Sequence, residues 1–352
     1  MSQVKNLVEK LFKKAEDGSF LSLDELSKVE RIPTISPSVN YMLQGGIVPS
    51  KFYAFAGPPS GGKSMFAAAC CAEFLKRDKD AVVIWFDVER SFTKHWLDVY
   101  LPAMGLEELK YRFIVKEVST GAEIFDYFAH DVVDSIQSGL KVAACVVDSV
   151  QSITPPAEFM ADDTEKVIMA GLARYLPQGM KKIIPLSRKH NTTWFFICQV
   201  RDNMDMFTQG LQKYVVPGGN AFHHFIDGLI MFEPINRKDM KIFSVDKSMN
   251  GKEIQIGHHV LAKMQNKCRV GVPNRVARFK FLYKDGIVDT YEEIVELAIL
   301  KNLIVTKGNF YYYKAPDLSE IPLGNGKSAA MEAVKSDSAL RERIWEDVKI
   351  SF

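Results

Sequence analysis

The sequence has no run of about 18 uninterrupted apolar residues, which excludes an ordinary membrane-spanning helix. Residues 1–14 are amphipathic and charged, without the apolar core of a secretory signal. Together these absences predict a cytoplasmic chain with no membrane partner. Only five cysteines occur (Cys70, Cys71, Cys145, Cys198 and Cys268), and none has metal-ligand spacing. Four lie in apolar runs, as expected of buried reduced thiols rather than a zinc site or a disulfide framework. Excess charge is lacking too: 45 Lys and Arg face 43 Asp and Glu, a net +2. Bulk electrostatics therefore announce no nucleic-acid binder, and any such site must arise from local placement of charge. Internal repeats and low-complexity segments are absent. What remains is 352 residues, 47% hydrophobic and 25% charged. That is an ordinary globular composition with room for one large α/β domain and a smaller one.

The strongest positive feature is Gly57-Pro58-Pro59-Ser60-Gly61-Gly62-Lys63-Ser64. It matches the phosphate-binding pattern G-x-x-x-x-G-K-[ST]. The apolar run 52–56 before it reads as a buried strand, and the run 65–75 after it as a helix. Strand, glycine-rich turn and helix make a phosphate cradle. Glycines let backbone N–H groups approach phosphate oxygens, and the helix N-terminus adds positive partial charge. Lys63 is expected at the β- and γ-phosphates and Ser64 on Mg²⁺.

Residues 1–30 read as one or two short helices, broken at Arg31-Ile32-Pro33-Thr34. From about 35 to 285 apolar strand-like runs alternate with helical stretches. Continuous apolar runs at 52–56, 81–86, 142–147 and 193–198 suit a parallel sheet covered on both faces. Further β-rich stretches follow at 228–233, 241–246, 258–264 and 276–283. Beyond 286 come an amphipathic helix over 290–300, the aromatic stretch 310–313 and one last helix over about 328–349.

Three strand ends carry polar groups where open α/β sheets place ligands. The strand at 81–86 ends in Asp87-Val88-Glu89, and Glu89 is positioned to polarise a water against a γ-phosphate. Alone, this pattern also fits a solvated acidic turn. The strand at 142–147 ends in Asp148, the pattern of a Mg²⁺-associated aspartate. The strand at 193–198 ends in Gln199, an amide able to sense a γ-phosphate. After it runs a long polar segment, 200–217, of a length usually kept for function.

These blocks, in this order, resemble the RecA recombinase family and especially its UvsX-type phage members. The resemblance rests on Gly57–Ser64, Phe86–Glu89, the run Asp148-Ser149-Val150-Gln151-Ser152-Ile153-Thr154-Pro155, the run Phe196–Arg201 and Gly218-Gly219-Asn220-Ala221. It implies a RecA-type P-loop ATPase core, a mostly parallel twisted sheet flanked by helices. A short helical N-terminal arm (1–34) would precede the core (35–285), and a small α+β C-terminal lobe (286–352) would follow. Two DNA-binding loops are implied at about 157–170 and 200–217.

The resemblance implies roles position by position. Glu89 matches the glutamate that activates water, Asp148 the Walker B aspartate, and Gln199 the glutamine coupling ATP to the second DNA loop. Trp96 matches an aromatic that stacks on adenine, although a helix residue packed on the core would look the same. Met169, Arg174, Arg201, Gly218, Gly219 and Asn220 match positions that touch DNA. Lys267 matches a lysine reaching the γ-phosphate of a neighbouring subunit. Its expected companion is replaced by Gln265, with Arg269 a possible substitute. His223 and His224 depart from the family's interface residues. Pro177 should kink or shorten the helix after the first DNA loop. Lys301, Lys307 and Lys314 are the candidates for a second DNA site.

The implied function is ATP- and Mg²⁺-dependent strand exchange by a helical filament of identical subunits. Its partners would be single- and double-stranded DNA, with single-strand-binding and mediator proteins as further candidates. Two alternatives keep the fold. One is a mediator that binds a recombinase without exchanging strands, motivated by His223, His224 and Gln265. The other is a hexameric helicase, against which the C-terminal lobe and short N-terminal arm argue.

Overall fold

A computed structural model describes residues 30–93, 111–160, 171–203, 214–235, 237–246, 252–287, 290–317 and 319–350. The chain divides into two compact units, Met1–Arg31 and Ile32–Phe352. The helices expected over 1–30 lie outside the described residues, which begin at Glu30.

The second unit is built on a nine-stranded sheet. Its central strands are β1 (Phe52–Gly57), β2 (Ala81–Asp87), β3 (Phe113–Glu117), β4 (Lys141–Asp148) and β5 (Thr193–Gln199). A two-stranded ribbon follows, β6 (Arg201–Asp202) with β7 (Tyr214–Val215). The large sheet continues with β8 (Gly228–Pro234), β9 (Lys241–Asp246), β10 (Lys252–Cys268) and β11 (Val276–Leu282). Its order is β11-β10-β8-β1-β5-β4-β2-β3, with β9 also on β10. The six strands from β8 to β3 are mutually parallel, and β9, β10 and β11 pair antiparallel. All eight strand-like runs expected from the sequence are strands. The edge strand β3, with only Phe113 of its five residues buried, carries no continuous apolar signal.

Alternation explains why the central strands are apolar throughout. Side chains along a strand point to opposite faces. Tyr53 and Phe55 of β1, Val83 and Trp85 of β2, and Phe195 and Ile197 of β5 enter one core. Phe52, Ala54 and Ala56, then Val82, Ile84 and Phe86, then Trp194, Phe196 and Cys198 enter the other. The first core is covered by the helix that follows the glycine-rich turn, Lys63–Arg77. The second is covered by the helical stretches Ala122–Tyr127, Phe128–Val132 and Val133–Gln137, together with the long helix Gly171–Lys189. We call Pro37–Met42 α1, Lys63–Arg77 α2, Gly171–Lys189 α3 and Gly219–Phe225 α4.

Helix α3 answers part of one expectation. It runs on through both Pro177 and Pro185, so neither proline ends it. A proline deletes a single backbone hydrogen bond, and neither ring is buried. The buried stripe Leu176, Gly179, Met180, Ile183 and Ser187 holds the helix on both sides of each.

The C-terminal lobe has its own core. Helices α5 (Tyr291–Leu300), α6 (Lys327–Ser336) and α7 (Ser338–Ile350) pack on an antiparallel sheet of Ile304–Lys307, Phe310–Lys314 and Glu320–Asn325. The last helix expected from the sequence is two helices. Asp337 interrupts it with extended backbone, and its carboxylate accepts the Leu340 N–H at 2.9 Å, an N-cap for α7.

Candidate functional site

The sheet order brings the polar strand ends together. In space β5 lies between β1 and β4, and β2 lies beyond β4. Gly57 is paired with Gln199, Asp148 with Ile197, and Asp87 with Asp148. Four neighbouring parallel strands thus end in one row at their C-terminal edge.

The glycine-rich turn wraps the end of β1 and delivers the chain into α2. Gly57 has φ +154°, and a Cβ there would sit 2.0 Å from the Phe232 carbonyl oxygen on β8. Gly62 is left-handed (φ 77°) and starts α2, its carbonyl accepting the Phe66 N–H at 2.8 Å. Pro58, Pro59 and Ser60 form the outer rim, and Gly61 is buried. The Lys63 ammonium donates to the Pro58 carbonyl at 2.7 Å. A cavity of about 280 Å³ opens here, lined by Pro59–Met65, Glu89, Ser91, Asp148, Ile197, Gln199 and Phe281. A larger one, about 610 Å³, lies at the opposite ends of the strands and touches none of these groups.

Burial dominates the electrostatics. Desolvation lowers the Lys63 ammonium to a pKa of about 8, opposed by Asp148, Cys198 and Glu89. Desolvation raises the Asp148 carboxyl to about 7, and the nearby Glu89 and Asp87 push the same way. A hydrogen bond from Ser64 and the Lys63 charge oppose it. Asp148 is thus a buried carboxyl whose charged form a nearby positive charge would favour. It stands beside the Ser64 hydroxyl, and these two oxygens suit a hard divalent cation that also takes phosphate oxygens. Among the described residues no cluster of three His, Cys, Asp or Glu could hold a metal alone.

The acidic turn after β2 is built rather than merely solvated. Asp87, buried, accepts the Ser91 N–H at 3.0 Å and the Phe92 N–H at 2.9 Å. The Val88 and Glu89 N–H groups donate to the Asp148 carbonyl at 2.8 and 3.2 Å. Glu89 is thereby held over the end of β4. Its Oε1 accepts from Ser149 Oγ, from Gln151 Nε2 at 2.9 Å, from Ser152 Oγ at 3.1 Å and from Gln199 Nε2 at 3.2 Å. The Asp148–Ser149 peptide is cis. Sequence reading placed Glu89, Asp148 and Gln199 at strand ends but missed Ser149, Gln151 and Ser152 as a group. Their signals were a position just past a strand end and a place in the run 148–155 that carries the family resemblance.

The remaining candidates are scattered. Arg174 is exposed in the first turn of α3, and Arg201 is exposed on β6. Gly218 precedes α4, with Gly219 and Asn220 in its first turn. A Cβ on Gly219 would stand 3.1 Å from the Ala173 Cβ, so the starts of α3 and α4 touch. The candidate DNA-binding loop over 200–217 is tied at its base by the β6–β7 ribbon, Arg201 opposite Val215. Trp96 and Met169 lie outside the described residues, as do 161–170 and 204–213. The backbone of Lys267 belongs to β10, one residue before its end. Arg269 is bonded to the buried Asp227 at 3.1 Å, Lys307 pairs with Glu320, and the Lys301 ammonium lies 4.7 Å from the Tyr41 ring centroid.

A glycine-rich turn between strand and helix, with acidic and amide groups on three adjacent parallel strand ends, defines a P-loop nucleotide-binding core. Comparison with known proteins narrows the class. The RecA N-terminal domain family matches residues 2–288. Protein RecA of Helicobacter pylori is 28% identical over 349 residues, covering 98% of this chain and 90% of the relative. Protein RecA of Campylobacter lari is 27% identical over 340 residues, with 95% and 89% covered. Protein RecA of Thermus thermophilus is 27% identical over 352 residues, with 97% and 92% covered. The chain belongs to the RecA family of DNA recombinases. No helix among the described residues is long and apolar enough to cross a membrane.

Proposed function

We propose that this chain is a DNA-dependent ATPase that assembles as a filament on single-stranded DNA, pairs it with a homologous duplex and exchanges strands. The observation that carries this reading is the Gln199–Glu89 contact. The Gln199 amide donates to both carboxylate oxygens of Glu89, at 3.2 and 3.3 Å, and Arg201 two residues later begins the ribbon. The group suited to ordering water is therefore bonded to the residue that opens the second candidate DNA segment.

In this reading Gly57–Ser64 binds the phosphates of ATP, Lys63 neutralises the β- and γ-oxygens, and Ser64 and Asp148 would hold Mg²⁺. Mg²⁺, when bound, supplies charge neutralisation of the phosphates. Glu89 orients a water and takes its proton at a carboxylate oxygen. Trp96 stacks on adenine, and Lys267 of an adjacent copy reaches the γ-phosphate. Arg174 and Arg201 neutralise DNA phosphates, Gly218, Gly219 and Asn220 approach the backbone closely, and Met169 wedges between bases without reading sequence. The arm (1–34), core (35–285) and lobe (286–352) serve docking, catalysis and duplex handling.

The test is ATP turnover with and without single-stranded DNA, in the wild type and in Gln199→Ala. We expect DNA-stimulated hydrolysis in the wild type. In the variant we expect stimulation to be lost while nucleotide affinity stays within about twofold. Stimulation retained in Gln199→Ala refutes the coupling. A wild type that hydrolyses no ATP on any DNA refutes the ATPase reading, and absence of joint molecules in a strand-exchange assay refutes the recombinase activity.

A further inference from the structure

Gln151 occupies the turn Val150–Ser152 just past the end of β4, and its carboxamide is engaged at both ends. Nε2 donates to Glu89 Oε1 at 2.9 Å and also to Ser149 Oγ. Oε1 accepts the backbone N–H of Gln199 at 3.0 Å. Which end is which follows from the partners: a carboxylate only accepts and a backbone N–H only donates. The side chain is thus a strut from the acidic turn after β2 to the last residue of β5.

The strut loads one carboxylate oxygen. Oε1 of Glu89 collects Ser149, Gln151, Ser152 and Gln199, whereas among the described residues Oε2 has Gln199 Nε2 alone, at 3.3 Å. A carboxylate held by one saturated oxygen presents the other in a fixed direction, which is what ordering a single water requires. Glu89 and Gln199 are also joined through the Gln199 side chain. Gln151 adds a second connection, from the Gln199 backbone, that a change of the Gln199 side chain leaves in place.

We propose that Gln151 is a positioning residue. It fixes the aim of the Glu89 carboxylate and ties that aim to the backbone from which the segment after Gln199 departs. A displacement of that segment then moves Glu89 only when Gln151 and the Gln199 amide act together, one from the backbone and one from the side chain. This inference rests on the ATPase reading above and adds a residue to it.

The experiment uses the full-length chain with Gln151→Met and Gln151→Glu, and measures ATP turnover, nucleotide affinity and amide exchange. Gln151→Met keeps the length of the side chain and removes all three hydrogen bonds. We expect DNA-stimulated kcat to fall about tenfold, with KM for ATP within about twofold, because aim and not binding is lost. Gln151→Glu keeps the acceptor for Gln199 but sets a second carboxylate against Glu89. Two carboxylates that close share a proton, so its pH–rate profile should be displaced relative to the wild type, which a merely structural role would not produce. The Gln199 amide hydrogen should exchange about tenfold faster in Gln151→Met and stay protected in Gln151→Glu. Unchanged kcat in Gln151→Met beside an active wild type overturns the proposal, as does unchanged exchange at Gln199. A wild type without ATPase activity instead overturns the reaction that Gln151 would serve, and the exchange result then shows whether the strut exists.

Discussion

Glu293 offers a quantitative test of how the C-terminal lobe is fastened to the core. It lies in the first turn of α5, only 5% exposed. Its Oε2 accepts the Ser36 hydroxyl at 2.5 Å and the Ser38 N–H at 2.9 Å. Ser36 is the N-cap of α1, so one carboxyl of the lobe closes the start of the first core helix. Burial raises this carboxyl from 4.5 to about 7; the two serines oppose the shift and Glu296 adds to it. The sign follows from proton counting. Between these values the folded chain holds a proton that the unfolded chain has released, so stability falls as pH rises through the window and is lowest above it. A displacement of this size is worth at most about 3 kcal/mol. Glu293→Gln keeps one oxygen able to accept from both serines and carries no charge at any pH. It is close to the protonated wild type in shape and in charge. We therefore expect the two proteins to unfold at nearly the same urea concentration at pH 5. At pH 8 the variant should be more stable by about 2 kcal/mol. A variant that is equally destabilised at both pH values refutes the reasoning, because the carboxylate would then be stabilising in its charged form.

Two further substitutions probe the frame of the candidate site. Arg112, buried before β3, donates to the carbonyls of Leu75 at 3.0 Å, Asp78 at 2.7 Å and Ala81 at 3.0 Å, closing the C-terminus of α2. Arg112→Ala strands these carbonyls and should cost about 3 kcal/mol in urea unfolding, and a loss below about 1 kcal/mol contradicts the assignment. Gly57→Ala drives a methyl to within 2.0 Å of the Phe232 carbonyl, so the turn must move while the rest of the sheet stays paired. Binding of a fluorescent ATP analogue should fall at least about tenfold with an unchanged circular dichroism spectrum. Affinity within about threefold of wild type would show that the turn tolerates the shift.

How much of this could be read beforehand depended on whether the signal was local. The central strands announced themselves because both faces are buried, which leaves no polar alternation to confuse with a loop. Gly57–Ser64 was readable because its geometry needs glycine, lysine and serine at fixed spacing. Glu89, Asp148 and Gln199 each stand at the end of an apolar run. Gln151 and Arg112 carried no such mark. Gln151 acts because β4 and β5 are neighbours in register, and Arg112 because β3 starts beside the end of α2. Both are consequences of tertiary placement that a single sequence does not display. The broken last helix turned on Asp337, whose capping bond outweighed a helical pattern that runs on past it. The prolines of α3 illustrate the converse: a local penalty is overruled by a buried stripe.

Strand order is what makes a single site of these parts. Along the chain the glycine-rich turn, Glu89, Asp148 and Gln199 come in that sequence, but in space β5 inserts between β1 and β4. The last group therefore sits directly beside the first, with Gly57 opposite Gln199 and the Val200 N–H donating to the Gly57 carbonyl at 3.3 Å. Side chains alternate faces along a strand, so a slip of one residue in β5 would turn the Gln199 amide away from Glu89 and bring Cys198 to its place. The buried alternation of Trp194, Phe196 and Cys198 against Phe195 and Ile197 opposes that slip, because it would send Trp194 out of the core where its indole bonds Ser187 at 2.7 Å. The aromatic core of β5 thus does more than stabilise the sheet. It sets the register that holds an amide between the phosphate turn and the candidate DNA segment.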